Sequence, residues 1–144
     1  IFASQYTEAD ENLVPTGLLV SLENTPIDFS NAKVVGKDIK LAGGYDHNMI
    51  LNNNNGKAAE LFDPASGRFM EMFTTEPAVQ FYSGNALHFD NESNNCKSSF
   101  IQYTGLCLEA QHYPNSPNEP SFPDTILRPG EKYRQTTSYK FSVR

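Results

Sequence analysis

An all-β fold with antiparallel strands is predicted by three observations: abundant strand-forming aromatics, closely spaced turn residues, and short runs that alternate apolar with polar side chains. The chain carries 10 Phe, 7 Tyr and no Trp, with 9 Gly and 9 Pro among its 144 residues. Aromatic side chains favour a pleated, half-buried surface, while Gly, Pro and Asn mark the places where the backbone reverses. No helical stripe continues beyond a turn or two, and the length suits one domain spanning residues 1–144.

The elements follow in order. Ile1 to Asn12 mixes aromatic and acidic residues; Asn12 to Gly17 predicts a turn before the alternating run Leu18 to Leu22. Thr25 to Phe29 predicts another turn into a short extended piece. Gly43-Gly44 reads as a glycine turn entering a strand that ends at Leu51. Asn52 to Gly56, four asparagines and a glycine, has the composition of a hairpin tip whose residues tolerate left-handed backbone angles. Ala58 to Phe62, the turn Asp63 to Gly67 and the partner run Arg68 to Thr74 continue this as a β-meander. Val79-Gln80-Phe81-Tyr82 alternates again, Asp90 to Lys97 is a polar loop, and Phe100 to Thr104 leads into the next strand. Tyr113 to Pro123, rich in Pro, Asn and Ser, is expected to fold over a sheet edge or cleft rim, and Ser138 to Val143 closes the chain as a strand.

The charge of -6 comes with scattered Lys and Arg, so neither nucleic acid nor an anionic membrane is an expected partner. Two cysteines, Cys96 and Cys107, are too few for a disulfide framework and are expected to be free thiols. Three histidines without metal-ligand spacing predict no metal site. No run is long and apolar enough for a membrane span, and no signal pattern opens the chain. The expected location is the cytoplasm, with the periplasm kept open because Ile1 rather than Met begins the chain, as in a processed or truncated product.

The stretch Gly105 to Pro117 carries the first chemical signal. On a strand, successive side chains point to opposite faces, which puts Leu106, Leu108 and Ala110 on one face and Cys107, Glu109 and Gln111 on the other. Glu109 therefore lies either on a solvated outer face or on a face that lines a cleft, where it could take or deliver a proton. Asp46 and Gln80 sit in comparable positions. By themselves they read as a turn cap after Gly44 and an exposed strand residue; together with Glu109 they supply the carboxylate and amide groups that a ring of sugar hydroxyls requires. Strand parity places His47 opposite Asp46 and His112 opposite Glu109, so both are expected to be structural or rim hydrogen-bonders, and His88 to be at the surface.

The run Leu106 to Tyr133, LCLEAQHYPNSPNEPSFPDTILRPGEKY, resembles the C-terminal signature of the galactose mutarotases, or aldose 1-epimerases. Upstream, in order, stand VPTG at Val14–Gly17, GGYDHNMILN at Gly43–Asn52, SGR at Ser66–Arg68 and TTEPAVQFYSGN at Thr74–Asn85. The resemblance implies a large antiparallel β-sandwich of the galactose mutarotase type, of which this chain is the C-terminal portion. It implies a monosaccharide substrate such as galactose or glucose, no cofactor, Glu109 as the catalytic base, and Asp46 and Gln80 as sugar-binding residues. It also implies that the general-acid histidine belongs to an N-terminal half, which would be the partner of this chain, and that the chain alone is inactive. Two alternatives are a sugar-phosphate epimerase of the same fold, with Arg68 as the nearest basic candidate, and a non-catalytic carbohydrate-binding module.

Overall fold

A computed structural model describes residues 1–52, 55–89 and 100–144, with backbone alone at positions 88, 89 and 100. Its strands are β1 Ala3–Ala9, β2 Pro15–Ser21, β3 Asp46–Leu51, β4 Lys57–Asp63, β5 Arg68–Thr74, β6 Ala78–Tyr82, β7 His88–Phe89, β8 Phe100–Ile101, β9 Cys107–Gln111 and β10 Thr137–Val143. Every pairing is antiparallel, and the longest helix among the described residues is one 3-10 turn at Ser116–Asn118. The all-β expectation therefore holds. The strands form a five-stranded sheet of order β2-β1-β3-β6-β9, a three-stranded sheet of order β10-β5-β4, and the small pair β7-β8.

Alternation decides what each face of the large sheet does. Met49 on β3, Val79 and Phe81 on β6, and Leu108 and Ala110 on β9 all point to one face. Two different covers bury it. Over Val79, Leu108 and Ala110 lies the three-stranded sheet, contributing Ala58, Ala59 and Met72, all 0 % exposed. Over Met49 and Phe81 lies the long connection between β2 and β3, which folds Leu22, Ile27, Phe29 and Tyr45 onto the sheet. Tyr45 stacks on Phe81 with centroids 5.2 Å apart, and Phe29 meets both rings edge-on. Full burial of side chains this large contributes on the order of 2 kcal/mol each, so the connection is held as firmly as a strand.

Two expectations need correction. Residues 53 and 54 of the expected hairpin tip lie outside the described residues, but the flanking strands β3 and β4 belong to different sheets, so they do not pair as a hairpin and no meander links them. Asn55 and Gly56 do take positive φ, 52° and 79°. The chain nevertheless leaves its sheet there, since an apolar face is stable only when covered and the crossing brings Ala58 and Ala59 onto Val79. The expected hairpin from β4 to β5 does form; it closes with Asp63 accepting from Ala65 N–H at 3.1 Å and with Gly67 at φ 71°. The early turn also sits slightly upstream of its expected place. Asp10 accepts from the N–H groups of Asn12 and Val14, and Pro15 already begins β2. The loop Asp90–Lys97 and Cys96 lie outside the described residues, as does the His88 side chain.

Candidate functional site

The other face of the five-stranded sheet is polar and open around Asp46, Gln80 and Glu109 and closes over Ile50 and Ala78, which are buried. Register places its side chains in rows across β3, β6 and β9: Asp46, Tyr82 and Cys107 in one row, Asn48, Gln80 and Glu109 in the next, and Ile50, Ala78 and Gln111 in a third. Direct cross-strand neighbours stand about 5 Å apart at Cβ, and diagonal ones remain within reach of long side chains. The three residues singled out from sequence thus meet on one surface, with Gln80 in the middle.

Their contacts differ in kind. Gln80 Nε2 donates to Asp46 Oδ1 at 2.7 Å, a charge-assisted bond between diagonal neighbours. Glu109 is Gln80's direct partner on β9, and its side chain is exposed. A cleft of about 470 Å³ opens over this face, with Asp46, Asn48 and Gln80 in its floor and Thr7 and Pro114 in its walls. Pro114 arrives from the Tyr113–Pro123 segment, which forms part of the cleft rim as expected. Further along, Phe122 packs edge-on against Tyr113, and Glu119 touches Gly17 of β2.

Asp46 is aimed by two loops that lock together. Tyr45 N–H donates to Ser83 Oγ at 2.9 Å, Ser83 Oγ–H donates to Asn85 Oδ1 at 2.6 Å, and Asn85 Nδ2 donates to the Tyr45 carbonyl at 3.0 Å. The Asn85 amide lies so close over Gly44 that only a residue without Cβ fits there. This lock ties the start of β3 to the end of β6, and it explains why glycines precede Asp46 and a Ser-Gly-Asn turn follows Tyr82.

Neither described histidine side chain bonds to Glu109. His47 does not simply point away from Asp46, as parity alone predicts: its ring turns back so that Nδ1 accepts from Asp46 N–H at 3.0 Å, while its edge meets Tyr6. Burial lowers its pKa, against the opposing pull of Asp46, so the ring is neutral with its proton on Nε2. His112 contacts the buried Glu76 carboxylate, which also accepts from Tyr133 Oη at 2.9 Å. His47 thus acts as a hydrogen-bonder, and His112 makes a close Nδ1–Oε2 contact with Glu76. Cys107 is a free thiol. Partial desolvation, then the charge of Glu109 and a hydrogen bond to it, push its pKa up, which leaves it a poor nucleophile.

Arg68 stands on β5 in the other sheet, beside Phe141 and Val143, so it offers no phosphate contact on the polar face. Among the described residues no three of His, Cys, Asp and Glu are grouped to hold a metal ion, and no helix is long and apolar enough to cross a membrane. The sequence reading missed one participant, Asn48, and placed another, Gln111, on the right face without giving it a part. Gln111 Nε2 donates to Asn48 Oδ1 at 2.9 Å and to Gln80 Oε1 at 3.1 Å. Their signal was parity: Asn48 follows Asp46 by two residues, and Gln111 follows Glu109 by two.

Residues 1–140 match the family model described as Aldose 1-epimerase. The chain belongs to the aldose 1-epimerase family. It is 41 % identical over 147 residues to galactose mutarotase of Mus musculus, covering 99 % of this chain and 43 % of that protein. To aldose 1-epimerase of Escherichia coli (strain K12) it is 36 % identical over 152 residues, covering 98 % of this chain and 43 % of that protein. The aldose epimerase homologue from C. elegans superposes with a TM-score of 0.85 at 27 % identity, over 99 % of this chain and 44 % of that one. Galactose 1-epimerase from Lactobacillus acidophilus gives a TM-score of 0.74 at 28 % identity, over 99 % and 42 %. The chain therefore spans less than half the length of these epimerase relatives, and its polar sheet face belongs to the β-sandwich of a sugar isomerase family.

Proposed function

We propose that residues 1–144 act as the C-terminal part of a single aldose 1-epimerase domain that interconverts the α and β anomers of a hexose such as galactose or glucose. Glu109 is the general base. It takes the proton of the anomeric hydroxyl while the bond from the anomeric carbon to the ring oxygen breaks, and a general acid protonates that oxygen. The open aldehyde turns about its bond to the next carbon, closes from the other face, and the two proton transfers run in reverse. Asp46 and Gln80 hold sugar hydroxyls, and Tyr82, in the same row as Asp46, supplies an aromatic flank.

The observation that carries this reading is the meeting of Asp46, Gln80 and Glu109 on adjacent strands of one open polar face. The acid is taken, as the family resemblance implies, to be a histidine of the N-terminal half; of the two described histidine side chains, His47 is turned onto backbone and His112 onto Glu76, which supports that reading. An N-terminal partner is further supported by the far end of the three-stranded sheet. There Leu61, Met70, Phe141 and Val143 line an uncovered apolar cleft of about 600 Å³, a surface suited to the rest of the sandwich.

The test is Glu109→Gln in the complete domain, followed by polarimetry of α-galactose. Turnover falls by about two or more decades, the usual scale of lost general-base catalysis, while sugar binding survives. Turnover equal to that of the unmodified enzyme removes Glu109 from its role. The chain alone is expected to be inactive, and mixing it with the N-terminal half to restore activity.

A further inference from the structure

Gln111 completes a chain of side-chain amides that runs from Asn48 through Gln80 to Asp46. An amide offers both a donor and an acceptor, but an ionised carboxylate only accepts. Asp46 therefore requires Gln80 to turn Nε2 toward β3, which leaves Gln80 Oε1 facing β9, where a donor must meet it. Gln111 Nε2 is that donor. The same amide also donates to Asn48 Oδ1, so the Nδ2 of Asn48 is left buried without a partner in a side chain that is 3 % exposed. Turning Asn48 to satisfy Nδ2 would need Gln111 and Gln80 to turn as well, and would set Gln80 Oε1 against the Asp46 carboxylate. One orphaned donor is thus accepted in exchange for a network whose direction is fixed from end to end.

We propose that Gln111 is a positioning residue for sugar recognition. It holds the Gln80 amide one way round, so that the face presents, in order, the Asp46 carboxylate, a donor, an acceptor and the Glu109 carboxylate. A hydroxyl above Gln80 then meets one defined pattern instead of two, which makes Gln111 a determinant of which hydroxyl arrangement binds. Gln111 itself touches no sugar in this scheme. The proposal rests on the sugar-site reading of the same face.

Two substitutions separate shape from direction. Gln111→Met keeps the length and removes the donor; Gln111→Glu keeps the shape and sets an acceptor against Gln80 Oε1 and Asn48 Oδ1. In the chain itself, without sugar, the Gln80 side-chain amide resonances, assigned through Gln80→Ala, should shift in both variants. In the complete domain the galactose KM should rise about tenfold for Gln111→Met, the scale of one hydrogen bond lost, and further for Gln111→Glu. The fall in kcat should be smaller than the rise in KM, and the melting temperature should fall by roughly 8 °C for the two lost hydrogen bonds, which leaves the domain folded at the assay temperature. Unmoved Gln80 resonances overturn the proposal at its geometry. Moved resonances with an unchanged KM, or a KM that changes only in step with melting temperature, overturn it at its function. If the unmodified domain shows no mutarotation while the resonances move, it is the sugar reading that has failed, and the role of Gln111 in recognition goes with it.

Discussion

Replacing Gly44 by alanine puts two separate costs on one residue, and both can be worked from the geometry that aims Asp46. Gly44 has φ 93°, a backbone conformation that costs an L-residue about 1–2 kcal/mol. Its new Cβ would also lie 2.3 Å from Asn85 Oδ1 and 2.4 Å from Asn85 Cγ, well inside contact distance. The Asn85 amide must therefore move and give up its bonds to Ser83 Oγ and the Tyr45 carbonyl, each contributing about 1 kcal/mol net. The sum is about 3–4 kcal/mol, which at roughly 4 °C per kcal/mol for a domain of this size lowers the melting temperature by about 12–16 °C. Gly43→Ala is the control: φ is 71°, but no atom lies within 4 Å of the added Cβ, so only the backbone cost of about 1–2 kcal/mol applies. In an Asn85→Ala background, Gly44→Ala should likewise cost only that backbone share. Melting followed by circular dichroism compares the four variants with the unmodified chain. Equal losses for Gly43→Ala and Gly44→Ala, or strict additivity of Gly44→Ala with Asn85→Ala, would refute the contact as the cause.

The other predictions concern pH and association. Burial depresses the folded-state pKa of His47 below 6.5, so as pH falls through that interval the unfolded chain binds more protons than the folded one. Stability is therefore complete above about pH 6.5 and declines below it; urea midpoints across this range should show a slope that flattens in His47→Asn, and an identical slope in both proteins would contradict the assignment. Phe141 and Val143 are 74 % and 77 % exposed on the uncovered end of the three-stranded sheet, so the chain should associate as concentration rises and Phe141→Asp should weaken that association. Sedimentation velocity decides this, and a chain that stays monomeric at high concentration counts against an unpartnered apolar face.

Much of the local structure was legible because a strand has a period of two. Alternation alone set Leu108 and Ala110 on one face of their strand and Glu109 and Gln111 on the other, and the structure keeps that division. Glycine pairs and Asx-rich turns likewise marked where β3 begins and where β4 returns as β5, since those conformations depend on a few adjacent residues. The ordered blocks of resemblance carried the family and, with it, the sandwich.

The tertiary structure decided which strands stand side by side. Asp46 and Gln80 are 34 residues apart, and Asn48 and Gln111 are 63 apart, so no local pattern could disclose that their side chains bond. Strand order is set by long-range burial: the chain crosses between sheets after Leu51 because Val79, Leu108 and Ala110 need a cover. The same burial turns His47 back onto the Asp46 backbone against simple parity, and it seats Asn85 over Gly44. Sequence alone thus determined which face each side chain takes, a property of one strand; only the folded chain determined its neighbours, because sheet pairing is a choice made between distant segments by the apolar surface they can bury together.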